Sequence, residues 1–163
     1  MEVRVPWHRK LVYRARNVHE PVAMELLERI RQNARRWREL DAAVKKETGG
    51  RVPVGTQFSE LVKRLPPEKR EGVVELIGST IRTNLTTMSQ VPEGQWESDK
   101  AARSILVLDT LVRSLGELKG RKALMEVYAE AKGEHNVFEA KGIKLPGRQR
   151  AYEAFENLMR GID

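Results

Sequence analysis

Residues 21–47 read PVAMELLERIRQNARRWRELDAAVKKE. At 100° per residue, Leu26, Ile30, Trp37, Leu40 and Val44 fall on one side of a helix, and Arg31, Arg35, Arg38 and Lys45 gather on the other. Arg29 and Arg36 flank the apolar stripe, Asn33 interrupts it, and Glu28 and Glu39 border the basic row. Pro21 suits a first helical turn, and Gly49-Gly50 stops the helix at its other end. One face is built to pack and the other to present cations about once per turn.

Working outward, the same period recurs. Residues 57–65 predict a short helix stopped by Pro66-Pro67, and residues 68–90 a longer one closed by Pro92-Glu93-Gly94. Ser98 or Asp99 caps a helix to about residue 118, where Ala101, Ile105, Leu108, Val112 and Leu115 alternate spacings of four and three. Leu106, Leu111 and Leu118 widen that stripe, as expected of a helix central to a bundle. Residues 119–132 predict a shorter helix ending at Gly133. The stretch EHNVFEAKGIKLPG reads as loop with room for one helical turn, and a final helix from Pro146 to about Arg160 buries Tyr152, Phe155, Leu158 and Met159. Residues 3–5 and 51–54 alternate like strands but are short, and Pro53 lies within the second and Pro6 directly after the first. Tyr13 to Val18 has room for a short helix. The expectation is an all-α fold.

At 163 residues the chain is one domain, or one domain with an appendage. It has no cysteine, which excludes a disulfide framework, a thiolate zinc site and a cysteine nucleophile. Many charges with few thermolabile residues is a composition of hot environments. No apolar run approaches the ~18 residues of a membrane span, and MEVRVPWHRK has no apolar signal region.

Charge is unevenly spread. Residues 1–56 hold 13 Lys/Arg against 7 Asp/Glu, and residues 57–163 hold 17 against 16. This divides the chain into a basic nucleic-acid-binding arm (1–56) and a nearly neutral helical body (57–163). Before the helix, Arg4, Arg9, Lys10, Arg14 and Arg16 are interleaved with Trp7 and Tyr13 and opposed nearby only by Glu2. Such an arm orders on a polyanion. A planar guanidinium bonds phosphate bidentately, so a row of arginines follows a phosphate backbone. The competing reading is a solvated face laced by i,i+4 ion pairs with Glu28, Glu39 and Asp41. An anionic membrane surface fits less well, because Asn33 breaks the apolar stripe.

Residues 79–90, STIRTNLTTMSQ, surround Ile81, Leu85 and Met88 with hydroxyls and amides, Arg82 being the sole cation. Uncharged polar groups of this kind suit phosphate and sugar contacts or a subunit interface, a solvent face being the third option.

Catalytic patterns are not found. His8, His19 and His135 lack ligand spacing, and Glu139-Ala140-Lys141 has a nuclease-like E-x-K form without supporting strands. The stretch from Gly116 to Lys122 has the wrong spacing for a phosphate loop. The expectation is a protein that is not an enzyme, with no cofactor and no metal.

Small size, absence of cysteine, a basic N-terminal helical arm and a neutral helical body together resemble the major coat proteins of filamentous and rod-shaped archaeal viruses. The stretch from Lys141-Gly142-Ile143 to Arg150-Ala151-Tyr152 is similar to a glycine-isoleucine, proline, arginine, alanine-tyrosine pattern in such proteins. The resemblance implies a capsid protein that wraps double-stranded DNA, held in A-form, and assembles as a dimer with itself or a paralogous coat protein into a helical filament, within a virion. On the charge map, Arg4, Arg9, Lys10, Arg14, Arg16, Arg31, Arg35, Arg38, Lys45 and Arg82 are the candidate DNA contacts. The alternatives are a small helical subunit of an RNA-guided defence complex and a host DNA-binding factor, both cytoplasmic. For a helix-turn-helix reader, the 49–56 loop is long and contains Pro53.

Overall fold

The computed structural model describes residues 20–49, 58–96 and 99–162, and among them are six α-helices, one 3-10 turn and no strand. The helices are α1 (Glu20–Thr48), α2 (Phe58–Lys63), α3 (Pro67–Ser89), α4 (Asp99–Lys119), α5 (Arg121–Ala140) and α6 (Arg148–Met159), with the 3-10 turn at Glu93–Gln95. The fold is all-α, as the periodicity predicts. The short helix expected within residues 13–18, the strand-like residues 3–5 and 51–54, and the cap at Ser98 lie outside the described residues.

Helix α3 is the axis of the bundle and packs against α1, α4, α5 and α6. Its Val73, Ile77, Ile81, Leu85 and Met88 are buried with Leu108, Val112 and Leu115 of α4, Leu124 and Tyr128 of α5, and Ala151 and Phe155 of α6. A fully buried aliphatic or aromatic side chain contributes roughly 1.5–3 kcal/mol, so this shared core is the main source of stability. Helix α4, expected to be central, packs with α3, α5, α6 and α2, yet Leu106 on its outer face is 65% exposed.

The polar stretch of α3 is buried inside the chain's own bundle. Thr83, Asn84, Thr86, Thr87 and Ser89 are all buried. It is therefore not the solvent-facing, nucleic-acid-contacting or inter-subunit surface that its composition suggests. The hydroxyls tolerate burial because each bonds a carbonyl of its own helix: Thr80 to Leu76 (2.7 Å), Thr83 to Ser79 (2.9 Å), Thr86 to Arg82 (2.9 Å), Thr87 to Asn84 (3.0 Å) and Ser89 to Leu85 (2.6 Å). A satisfied buried hydroxyl avoids the 1–3 kcal/mol or so that an orphaned one costs.

Helix α1 carries the apolar stripe read in residues 21–47. Its stripe is covered by the same chain: Leu40 and Val44 join the main core, and Leu26 and Ile30 form a second cluster with Phe138, Ile143 and Leu145. Through Leu26, Ile30, Leu40 and Val44, α1 thus shares its cores with the body.

Helix α5 runs on through Gly133, where the sequence suggested a stop. Leu124, Tyr128, Ala131, His135 and Phe138, at alternating spacings of four and three, are all buried. That continuous packed stripe outweighs the weak helix propensity of one glycine. The helix ends instead before Gly142, whose φ of +85° is the left-handed conformation that glycine adopts at least cost. Residues 141–147 then return to α3, where the Gly147 N–H donates to the Ser89 carbonyl at 2.8 Å.

Candidate nucleic-acid interface

The packed stripe of α1 determines where its opposite face points. Arg31, Arg35 and Arg38 are all exposed, and none makes an ion pair or hydrogen bond with another described residue. They occupy about 10 Å of helix at 1.5 Å per residue. Lys45 extends the row but is held by Asp41 at 2.9 Å, an i,i+4 pair of the kind expected of a solvated face.

The flanking arginines turn inward and orient the helix. Arg29 makes a two-pronged pair with Glu134 of α5, at 2.8 and 2.9 Å. Arg36 donates to the Gly72 carbonyl at 3.1 Å and lies 3.9 Å from Glu75. Trp37 donates its indole N–H to Thr80 at 3.0 Å, and Asn33 accepts from Ser79 at 3.2 Å. These bonds fix the rotation of α1, so the basic row faces outward as a preset line of cations.

Arg82 is not brought to that row. It sits on α3, partly buried beside α5, with Glu130 at 3.5 Å. Arg4, Arg9, Lys10, Arg14 and Arg16 lie outside the described residues. The row that the structure assembles is therefore Arg31, Arg35 and Arg38, with Lys45 at its end.

Sequence reading missed a polar network behind α1. His135 is fully buried, with Nε2 3.0 Å from Thr86 Oγ1 and Nδ1 2.5 Å from the Tyr152 hydroxyl. Thr86 Oγ1 also faces two groups that can only accept, the Arg82 carbonyl at 2.9 Å and the Glu134 carboxylate at 3.2 Å. Its one proton serves those acceptors, which assigns the His135 proton to Nε2 and leaves Nδ1 to accept from Tyr152. The bonds then run in one direction, Tyr152 to His135 to Thr86 to Glu134, where Arg29 closes the chain. Burial would raise the Glu134 carboxyl, but the hydrogen bonds and charge of Arg29, helped by Arg82 and Thr86, hold it below the usual range. The signal available in the sequence was the α5 stripe itself, which places His135 inward once the helix continues through Gly133.

Beside this network, Tyr128 donates to Glu156 at 2.5 Å, and burial and that carboxylate push its hydroxyl pKa upward. Arg148 is bonded to Glu139 and to Asn136 and lies over the Tyr152 ring. The cleft that these residues line is satisfied by its own partners.

Among the described residues, no group of three or more acidic or histidine side chains is placed to hold a metal ion, and no helix is long and apolar enough to cross a membrane. Comparison with protein-family models, curated proteins and solved structures finds no match to this chain.

Proposed function

We propose that the chain is a structural nucleic-acid-binding protein that holds the phosphate backbone without reading bases. The observation that carries this is the row of Arg31, Arg35 and Arg38, exposed and without ion pairs among the described residues, on a helix whose rotation is fixed from behind. Bidentate guanidinium–phosphate bonds supply affinity and position, and base recognition requires a groove-reading element that the described helices do not suggest. In its most specific form this is the coat-protein reading: double-stranded DNA, copies of the chain assembled as a filament, and residence in a virion. No catalytic role is part of the proposal.

One observation favours a second form. The apolar stripe of α1 is covered by the chain's own α3, α5 and 141–147 segment, so α1 needs no neighbouring subunit to bury it. That suits a self-contained subunit of an RNA-guided defence complex, or a host factor, as well as it suits a coat. Mixing the purified full chain with linear duplex and, separately, with single-stranded RNA tests both forms. Filaments of uniform width on duplex in negative stain support the coat form. Discrete particles of fixed stoichiometry on RNA support the subunit form. Absence of binding to either at about 50 mM salt, where backbone contacts are strong, overturns the whole reading.

A further inference from the structure

The outward face of α5 carries an exposed apolar ridge that is not part of the core formed by the described residues. Met125 is 56% exposed and Val137 is 51% exposed, and between them Ala129 and Gly133 continue the same ridge at four-residue steps, all open to solvent. Glycine inside a helix costs stability relative to alanine. A close neighbour within the chain would explain it, but a Cβ built at Gly133 meets nothing within 4 Å. Nothing within the described chain requires the missing side chain. A second backbone approaching this ridge would require it, since small residues four apart let two helices come close.

The charges beside the ridge say what approaches. Lys132 stands on one edge, its ammonium 4.1 Å from the centre of the Tyr128 ring, and Glu126 and Glu130 stand on the other. Glu130 is 60% exposed despite its contact with Arg82. Lys132 and Glu130 are two residues apart, about 3 Å of helix rise, so they sit at nearly one height. When two copies of such a helix pack in parallel about a two-fold axis, the basic edge of each meets the acidic edge of the other. In an antiparallel pair, like edges meet and repel. We propose that this face of α5 is the contact between two copies of the chain, with the two α5 helices parallel and Ala129 and Gly133 at the point of closest approach. This names the surface for the self-assembly half of the functional reading and does not depend on nucleic-acid binding.

Sedimentation equilibrium of the full chain without nucleic acid tests it. A reversible dimer is expected. Ala129→Glu should weaken it at least tenfold. Lys132→Glu and Glu130→Lys should each weaken it by about tenfold at low salt, and the double exchange should restore it, as complementary charges require. Gly133→Ala gives a readout of opposite sign: it should raise the melting temperature of the dilute monomer through helix propensity, yet weaken the dimer. A chain that stays monomeric to about 1 mM, a concentration that reveals any dimer of millimolar affinity, overturns the proposal. So does a dimer indifferent to Ala129→Glu and Gly133→Ala, which would lie on another surface. Retained backbone binding by Ala129→Glu separates failure here from failure of the nucleic-acid reading.

Discussion

The Tyr152 hydroxyl lies 2.5 Å from Nδ1 of His135, and the two rings stack 4° from parallel. Tyr152 belongs to α6 and His135 to α5, and the other imidazole nitrogen reaches Thr86 on α3. One buried neutral histidine therefore joins three helices, and through Glu134 and Arg29 it reaches the helix that carries the basic row.

This histidine makes stability depend on pH. Burial pushes His135 down to about 4 from an ordinary 6.5; Arg148 and Arg29 act in the same direction, and Glu134 and Glu139 oppose them. Above pH 6.5 the imidazole is neutral whether folded or not, and its contribution is fully present. As pH falls from 6.5 towards 4 the unfolded chain takes the proton first, and about 3 kcal/mol is lost over that window. Urea unfolding of the wild type and of His135→Gln at several pH values checks this. The wild type should lose stability across the window, and the variant should start lower and lose less.

Tyr152→Phe removes the donor to Nδ1 while keeping the ring. A buried acceptor left unpaired costs roughly 1–3 kcal/mol, and the variant should lose that amount in urea unfolding at pH 7. Thr86→Val should cost a similar amount, and the double variant should cost less than the sum, because both act on one chain of bonds. Strict additivity of the two losses would show that they do not share a network.

Arg31, Arg35 and Arg38 should be replaceable by Gln with little change in stability, since all three are exposed and Gln forms helix well. Nucleic-acid affinity should fall, and the slope of log affinity against log salt should become shallower by about 3 if each arginine releases one counterion from duplex. Replacing Arg148, Arg150 and Arg160 should do much less. A larger effect from that second set would place the interface on α6.

Gly147 is a tight spot of a different kind. A Cβ there would lie 2.5 Å from the Val91 carbonyl, 2.8 Å from that of Met88 and 2.8 Å from the Trp96 indole nitrogen. Two of those atoms are backbone and cannot step aside. Gly147→Ala should destabilise by about 1–3 kcal/mol, lowering the thermal midpoint and loosening the 141–147 segment first. An unchanged midpoint would mean that this segment is not held against α3.

Much of this architecture was legible in the sequence, because a stripe at helical spacing has one good use. The stripes of α1 and α4 and the ends of α3 could be read directly. The extent of α5 could not be read from Gly133, because a local breaker says nothing about the packing of Ala131 two residues before it and Phe138 five residues after it. The role of α3 was hidden for a related reason. Threonine and serine look like surface when judged by polarity, and only the bonds from Thr83, Thr86 and Ser89 to the preceding turn make them suitable for a core. The basic row could be read, but the inward turn of Arg29 and Arg36 depends on partners 105 and 36 residues away.

The hydroxyl-rich centre of the bundle also has a thermal consequence. Unfolding an aliphatic core exposes surface that raises heat capacity, whereas exposing hydroxyl and amide surface lowers it. Because Thr83, Asn84, Thr86, Thr87 and Ser89 lie where most bundles place leucine, the heat-capacity increment of this chain should fall below the usual ~12–15 cal/mol/K per residue. Its free energy of unfolding should then vary gently with temperature, a broad, low-curvature dome that spreads stability across a wide working range.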